Sequence, residues 1–375
     1  MERRPFIKKI LTTSGGILIG SQISFLFDNQ KNTQKKLGIA LVGLGNYATT
    51  QLAPALQETK DCYLAGIVTG TKEKEQIWID RYQLKRENIY NYKNFDSIIN
   101  NDEIDIIYVV LPNSLHAEFT IRAAKAGKHV ICEKPMATSV SDCKKMIDAC
   151  KKADKKLSIG YRLHFEPFND NMMRLGQNKV YGNMNLKANF SFFVRDTTQW
   201  RAKKEFAGGG PLMDLGIYCL QGAIYTFGEL PISVSAKNTT KNNSIFTDIE
   251  GSLEWKMKFP SGEALCKTSY EEPFVNYLSA TTEKGILEIS PSFAYGGLKG
   301  KTPDGEMKFK NVNQQALQMD AFAQNILNNT ETLVPGKMGL RDNYIIEKIY
   351  ESVQKNGEEV FLTEIPKILD LRSFN

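Results

Sequence analysis

The chain has 375 residues, of which 42% are hydrophobic and 24% charged, so it can bury a sizeable core in about two or three domains and is not wholly disordered. No run of about 18 apolar residues follows the first 30 positions, which excludes a multi-pass membrane protein. The formal charge of +6 sits mostly in residues 1–36, where Arg3, Arg4, Lys8, Lys9, Lys31, Lys35 and Lys36 face only Glu2 and Asp28; the remainder is nearly neutral and has no basic stripe with interleaved aromatics, so nucleic-acid binding is disfavoured.

The amino terminus, Met1-Glu2-Arg3-Arg4-Pro5-Phe6-Ile7-Lys8-Lys9, precedes a mildly apolar stretch from Ile10 to Phe27. Charge first and a weak apolar segment second is the layout of an export signal, and Arg-Arg-x-Phe-Ile-Lys resembles the twin-arginine type. The expectation is an exported, periplasmic protein delivered by the export machinery. No clear A-x-A site follows, so cleavage and retention as a tether both stay open. Residues 28–36 are polar and aperiodic, a linker or extended arm, and residues 1–36 are set apart as signal and arm.

Gly38 to Val42 forms a short apolar run ending in Gly43-Leu44-Gly45, with a helix-like segment to about Glu58 that Pro54 should kink. Cys62 to Val68 predicts a second strand and Ile104 to Leu111 a buried one. Ala117 to Ala126 predicts a helix stopped by Gly127, and Lys128 to Cys132 another strand. Strands alternating with helices imply right-handed crossovers and a parallel sheet. After about residue 180 the pattern changes. Met184, Leu186, Ala188, Phe190 and Phe192 alternate with polar residues, as do Leu253, Trp255, Met257 and Phe259, which marks half-buried, mostly antiparallel strands. Ile346, Ile349, Tyr350 and Val353 line one face of a final helix. The boundaries read from this pattern are 37–157 for a dinucleotide-type α/β domain and 158–375 for an α+β domain on an open sheet, whose uncovered face would pair with a copy of itself as a dimer or tetramer. Of the six cysteines, Cys143 and Cys150 fall on one helix roughly 10 Å apart, too far to bridge; buried free thiols are expected.

Gly43-x-Gly45-x-x-Ala48 closes one strand and opens a helix. Glycine permits a tight turn and lets backbone N–H groups approach a pyrophosphate at the helix amino terminus. At the end of the second strand stand Thr69-Gly70-Thr71-Lys72-Glu73-Lys74 rather than an early carboxylate. A hydroxyl with lysines suits a 2′-phosphate, so NADP is expected over NAD. Cys132-Glu133-Lys134-Pro135 follows another strand, which aims Lys134 at the crevice where such sheets bind ligands. Gly208-Gly209-Gly210-Pro211 then opens a helix carrying Asp214 and Tyr218 four residues apart. A neutral Tyr is a poor base near pH 7; a neighbouring Lys cation favours its phenolate. Lys134 and Tyr218 make such a pair if the two domains face each other. His164 and Glu166 are read as sharing a strand face, too few ligands for a metal, so none is expected.

Gly-Leu-Gly-Asn-Tyr-Ala (43–48), Val-Thr-Gly-Thr (68–71), Glu-Lys-Pro (133–135), Gly-Tyr-Arg-Leu-His-Phe-Glu-Pro (160–167), Gln-Trp-Arg (199–201) and Gly-Gly-Gly-Pro-Leu-Met-Asp-Leu-Gly-Ile-Tyr (208–218) together resemble the glucose–fructose oxidoreductase group of the Gfo/Idh/MocA oxidoreductase family. The resemblance spans roughly residues 37–365 and extends to the leader; many relatives carry His where this chain has Tyr218. It implies a Rossmann-type domain plus an α+β domain with a mainly antiparallel sheet. It implies Lys134 and Tyr218 as the catalytic pair, with Asp214 positioning substrate hydroxyls. Gly43, Leu44, Gly45, Asn46, Tyr47, Thr69 and Lys74 would hold the adenosine and phosphate side of the nucleotide. Leu111, Pro112, Asn113, His116, Glu133 and Lys134 would line its ribose and nicotinamide side, although His116 also fits a plain helix start. Arg162, Trp200 and Arg201 would close over the nicotinamide. The expected activity is NADP-dependent hydride transfer at a sugar C1, with a captive nucleotide and a second carbonyl sugar as acceptor. Alternatives are an aldose 1-dehydrogenase that releases NADPH, a glycosidase using the nucleotide transiently, and a non-catalytic sugar-binding protein.

Overall fold

A computed structural model describes residues 35–369; the expected export signal and nearly all of the expected arm lie outside the described residues. The uninterrupted apolar runs become strands covered on both faces. β1 (Leu37–Val42) is buried at every position and pairs in parallel with β2 (Cys62–Val68) and β4 (Ile106–Val109). β3 (Ile89–Tyr90), β5 (His129–Cys132) and β6 (Leu157–Ile159) complete a parallel sheet in the order β3-β2-β1-β4-β5-β6. The chain reverses its direction of winding beside β1, which opens a crevice at the carboxyl ends of β1 and β4. Helices His116–Lys125 and Val140–Lys152 follow β4 and β5, the second capped by the Ser139 hydroxyl accepting from the Asp142 N–H at 3.1 Å. The helix after β1 opens with a wide turn, Ala48–Leu52, before Ala53–Ala55; Pro54, near the start of that last piece, has no N–H to give.

The mixed sheet has the order β14-β13-β12-β11-β7-β10-β9-β8-β15, built from β7 (Met184–Ser191), β8 (Ser233–Asn238), β9 (Ser252–Phe259), β10 (Gly262–Ser269), β11 (Val275–Thr282), β12 (Gly285–Ile289), β13 (Gly300–Thr302), β14 (Gly305–Glu306) and β15 (Val360–Phe361). Its pairs are antiparallel except β7 with β10. Leu253, Trp255, Met257 and Phe259 point into the core, where helix Ile217–Phe227 packs on β7 and β10, and helix Gly336–Gln354 on β8.

Two boundary expectations need correction. β6 belongs to the parallel sheet, pairing Leu157–Ile159 with Val130–Cys132, so a division at residue 157 cuts through a strand. The second concerns helix Gln314–Leu327, which the sequence order assigns to the second domain. Its Ala316, Met319, Phe322 and Ala323 pack instead with Leu37, Ile39, Leu41, Ile106 and Tyr108, sealing one face of the parallel sheet. Asp320 on this helix accepts from the Lys60 and Asp61 N–H groups at 3.0 and 2.9 Å. All six cysteines are free and buried.

Candidate active site

The loop after β1 is shaped by two glycines with different reasons. Gly43 has φ +96°, and a Cβ there would stand 2.7 Å from the Val110 carbonyl oxygen, so only glycine fits. A Cβ on Gly45 would meet nothing within 4 Å; it would project into the open space that a pyrophosphate needs. Lys74 reaches across and donates to the Leu44 carbonyl at 2.7 Å, placing an ammonium on the loop. The Thr69 hydroxyl accepts from the Thr71 N–H at 3.1 Å and shapes the end of β2. Asn46 is exposed at the helix start. A glycine cradle, a helix amino terminus and a nearby cation fit a phosphorylated nucleotide. Tyr47, half-buried at the start of the helix, stacks on Tyr295 with ring centroids 5.8 Å apart.

The ends of β4 and β5 supply a second group. Leu111 and Pro112 lead into the turn Asn113–Leu115, and the Asn113 amide donates to the Ala207 carbonyl at 2.8 Å, tying the two domains together. His116 is 1% exposed, with its ring nitrogens 2.9 Å from the Pro135 and Leu111 carbonyls. It is therefore a tie between the two strand-end loops beneath the crevice, which corrects the expectation that it lines the nucleotide. Glu133 also faces inward. It accepts from the Tyr108 hydroxyl at 2.7 Å, which itself accepts from the Gln318 amide at 3.0 Å, and burial pushes the Glu133 carboxyl up.

Lys134 and Tyr218 come from different domains and meet. The Lys134 ammonium lies 4.7 Å from the centroid of the Tyr218 ring. It donates to the Asp214 carbonyl at 2.7 Å and to Asp214 Oδ1 at 3.2 Å. Asp214 Oδ2 accepts from Arg201 Nη1 at 2.9 Å and from the Tyr270 hydroxyl at 2.8 Å. Burial would push the Asp214 carboxyl up, but Lys134, Arg201 and the Tyr270 hydrogen bond outweigh it and hold it at about 2. Oδ2 thus accepts from two protein donors and Oδ1 from Lys134 alone, so Asp214 aims Lys134 and keeps acceptor capacity on Oδ1. Arg201 in turn lies over the ring of half-buried Trp200, at 5.6 Å. Tyr218 is walled by Phe190 and Phe293, with centroids at 5.6 and 5.8 Å.

Arg162 is 2% exposed rather than poised as a movable cover. Its guanidinium lies 5.2 Å from the Tyr218 ring centroid and 4.5 Å from that of Tyr295. His164 and Glu166 do not share a strand face. They belong to a tight helical turn, Arg162–Phe165, and to the residue after it: His164 Nε2 bonds the Gln221 amide oxygen at 2.7 Å, and Glu166 caps helix Pro167–Gln177 by accepting from the Asn169 N–H at 2.8 Å. Among the described residues no cluster of three or more His, Cys, Asp or Glu could hold a metal ion. Sequence reasoning missed Tyr270, Tyr295, Gln314 and Gln318, because each stands alone in the sequence and reaches the site only through the fold.

A glycine-cradled helix start, a strand-end lysine and a tyrosine from an apposed domain define a nucleotide-dependent oxidoreductase site. Residues 37–161 match the oxidoreductase family's NAD-binding Rossmann fold and residues 181–360 its C-terminal alpha/beta domain; the chain belongs to the Gfo/Idh/MocA oxidoreductase family. Among solved structures it is similar to the aldose-aldose oxidoreductase of Caulobacter crescentus complexed with glycerol, at 38% identity and TM-score 0.85, covering 88% of this chain and 100% of that one. Among curated proteins it is similar to the D-xylose 1-dehydrogenase [NADP(+)] of Haloarcula marismortui, 26% identical over 87% of this chain and 93% of the other. It is also similar to the D-glucoside 3-dehydrogenase of Escherichia coli, 24% identical over 87% of this chain and 97% of that protein.

Proposed function

We propose that this protein is an NADP-dependent sugar oxidoreductase acting at C1 of an aldose. The observation that carries the reading is the meeting of Lys134 and Tyr218 at the crevice. The Caulobacter and Haloarcula relatives support an aldose as substrate, and the second supports NADP. Lys74, reaching the phosphate loop from the helix after β2, with no carboxylate before Glu73 at the end of β2, suits a 2′-phosphate.

Gly43, Gly45 and Asn46 would hold the pyrophosphate, with Thr69 and Lys74 at the adenosine ribose and Lys134 at the nicotinamide end. When bound, the nicotinamide accepts and returns hydride. Tyr218 takes the proton of the C1 hydroxyl as the hydride leaves C1, giving a lactone. Lys134, aimed by Asp214, holds positive charge beside the phenol and favours its anionic form. With a second carbonyl sugar, Tyr218 returns the proton and the cycle closes.

An exported enzyme of this kind works with a nucleotide loaded before export and kept through turnover. The open face of the mixed sheet, bearing Lys187, Glu254, Lys256, Leu265, Lys267 and Tyr277, would pair two copies. Absorbance and mass spectra of the purified protein, with sugars added one at a time, test the reading. Bound NADP reduced by an aldose and reoxidised by a second sugar supports it. Protein that binds no nicotinamide nucleotide and oxidises no aldose would sink it. The Haloarcula relative favours a second reading, a dehydrogenase that releases its coenzyme; NADPH accumulating steadily from a single sugar would identify that cycle.

A further inference from the structure

Two arginines are almost wholly enclosed, and their surroundings differ. Arg341, 1% exposed, is neutralised by Asp342 at 2.7 Å. Arg162, 2% exposed, forms no ion pair among the described residues. It donates instead to the Phe293 carbonyl at 2.6 Å, to the Ala294 carbonyl at 3.0 Å and to the Gln314 side-chain oxygen. Its Nε–H meets no acceptor. Glu133 and Glu166 act on it only from beyond ion-pair distance, and a buried guanidinium with no carboxylate in direct contact and with an unsatisfied donor is unfavourable and calls for a reason. The groups against its planar face are phenols, Tyr218 at 5.2 Å and Tyr295 at 4.5 Å. The charge is held on even so: burial works against it, while Tyr218, Tyr47 and Tyr295 favour it.

We propose that Arg162 is a positioning residue for Tyr218, a fixed buried charge with no direct carboxylate partner that is set to balance the Tyr218 phenolate. This rests on the assignment of Tyr218 as acid and base. In sugar oxidation the C1 O–H bond breaks and its proton passes to the Tyr218 oxygen, while the C1 hydrogen leaves as hydride to the nicotinamide. Before that transfer the phenolate lies between two cations, Lys134 and Arg162. Lys134 is shared with Asp214 and partly reached by solvent, at 13% side-chain exposure; Arg162 is dry and pinned by the 293–294 backbone. A preorganised charge in a water-excluded place needs no rearrangement when the anion forms. The other titratable groups around Tyr218 and Arg162 are Glu133 and Asp214 beside Lys134, His164, Tyr161 and Tyr225 in the same small pocket, Tyr47 and Tyr295 across the guanidinium, and Glu166 four residues beyond Arg162.

The test uses the nucleotide-loaded enzyme with Arg162→Gln, Arg162→Lys and, separately, Tyr218→Phe. Expected in Arg162→Gln is a move of the acid limb of kcat for sugar oxidation to higher pH by about one to two units, with KM and bound nucleotide little changed. Added guanidinium ion should restore the limb, and Arg162→Lys should restore part of it. A lower kcat with the limb in place would make Arg162 a merely structural residue and overturn the proposal. If Arg162→Gln does not fold, the unmodified holoenzyme still decides. Difference-absorbance titration against Tyr218→Phe must find the Tyr218 phenol ionising more readily than the other tyrosines, and the contrary result overturns the proposal. Tyr218→Phe that turns over at the normal rate defeats the underlying assignment instead, so the two failures are told apart.

Discussion

The two domains build their halves of the crevice in different ways. The first supplies short continuous segments, 43–47, 69–74, 111–116 and 133–134, each at the carboxyl end of a parallel strand. The second supplies scattered residues: Asp214 and Tyr218 from one helical segment, and Arg162, Arg201, Tyr270 and Tyr295 each from elsewhere in the chain. A parallel sheet delivers consecutive residues to one edge because all its strands point the same way. A mixed sheet with helices on one face has no such common end, so its contribution is assembled by packing. The nucleotide half should therefore respond locally to mutation, and the catalytic half as a network.

The largest effect expected is that of Tyr218→Phe. Acid–base catalysis contributes roughly a hundred- to ten-thousand-fold, so kcat should drop by that order while bound nucleotide, read by absorbance, is retained. Loss of nucleotide together with activity would merge the two halves and break the comparison. Next comes Asp214→Ala, which removes the carboxylate shared by Lys134, Arg201 and Tyr270. Deleting one member of a largely buried ionic cluster destabilises by about 3 kcal/mol, visible as a lower midpoint in urea. Because the Asp214 carboxyl is held at about 2, below its ordinary 3.8, the carboxylate stabilises the fold fully above pH 3.8. That contribution fades as pH falls through about 2. The gap between wild type and Asp214→Asn should accordingly narrow toward that pH, and a gap independent of pH would count against the network.

Lys74→Ala should act only on the first half. Losing a charge-assisted contact to a 2′-phosphate is worth about 1.5–3 kcal/mol, roughly a ten- to hundredfold weaker hold on NADP, with little change for NAD. Equal weakening of both nucleotides would remove Lys74 from the 2′-phosphate. The smallest expected effect lies outside the crevice. Ser139→Ala deletes the cap on helix Val140–Lys152 and should lower stability by about 1 kcal/mol without altering kcat.

The same contrast explains what could be read in advance. The strands of the parallel sheet, the glycine loop and the Lys134–Tyr218 pair were legible because apolar runs, strand-end position and joint motifs are local signals. His116 was read as lining the nucleotide yet bonds the Pro135 and Leu111 carbonyls, since sequence position places a backbone and leaves open which neighbour the side chain meets. Helix Gln314–Leu327 carries Ala316, Met319, Phe322 and Ala323 at helical spacing, but spacing says only that a face is buried. Its partner is a sheet more than two hundred residues earlier in the chain.

The order of residues by itself determined the two-domain plan and the phosphate loop, because periodicity and glycine demand are properties of short segments. Tertiary structure alone decided that Asp214 is shared by Lys134, Arg201 and Tyr270, and that Arg162 lies buried against Tyr218 with no direct ion pair among the described residues. Charges act through space in a medium whose polarity depends on burial, and neither their separation nor their dryness is written in any one stretch of chain.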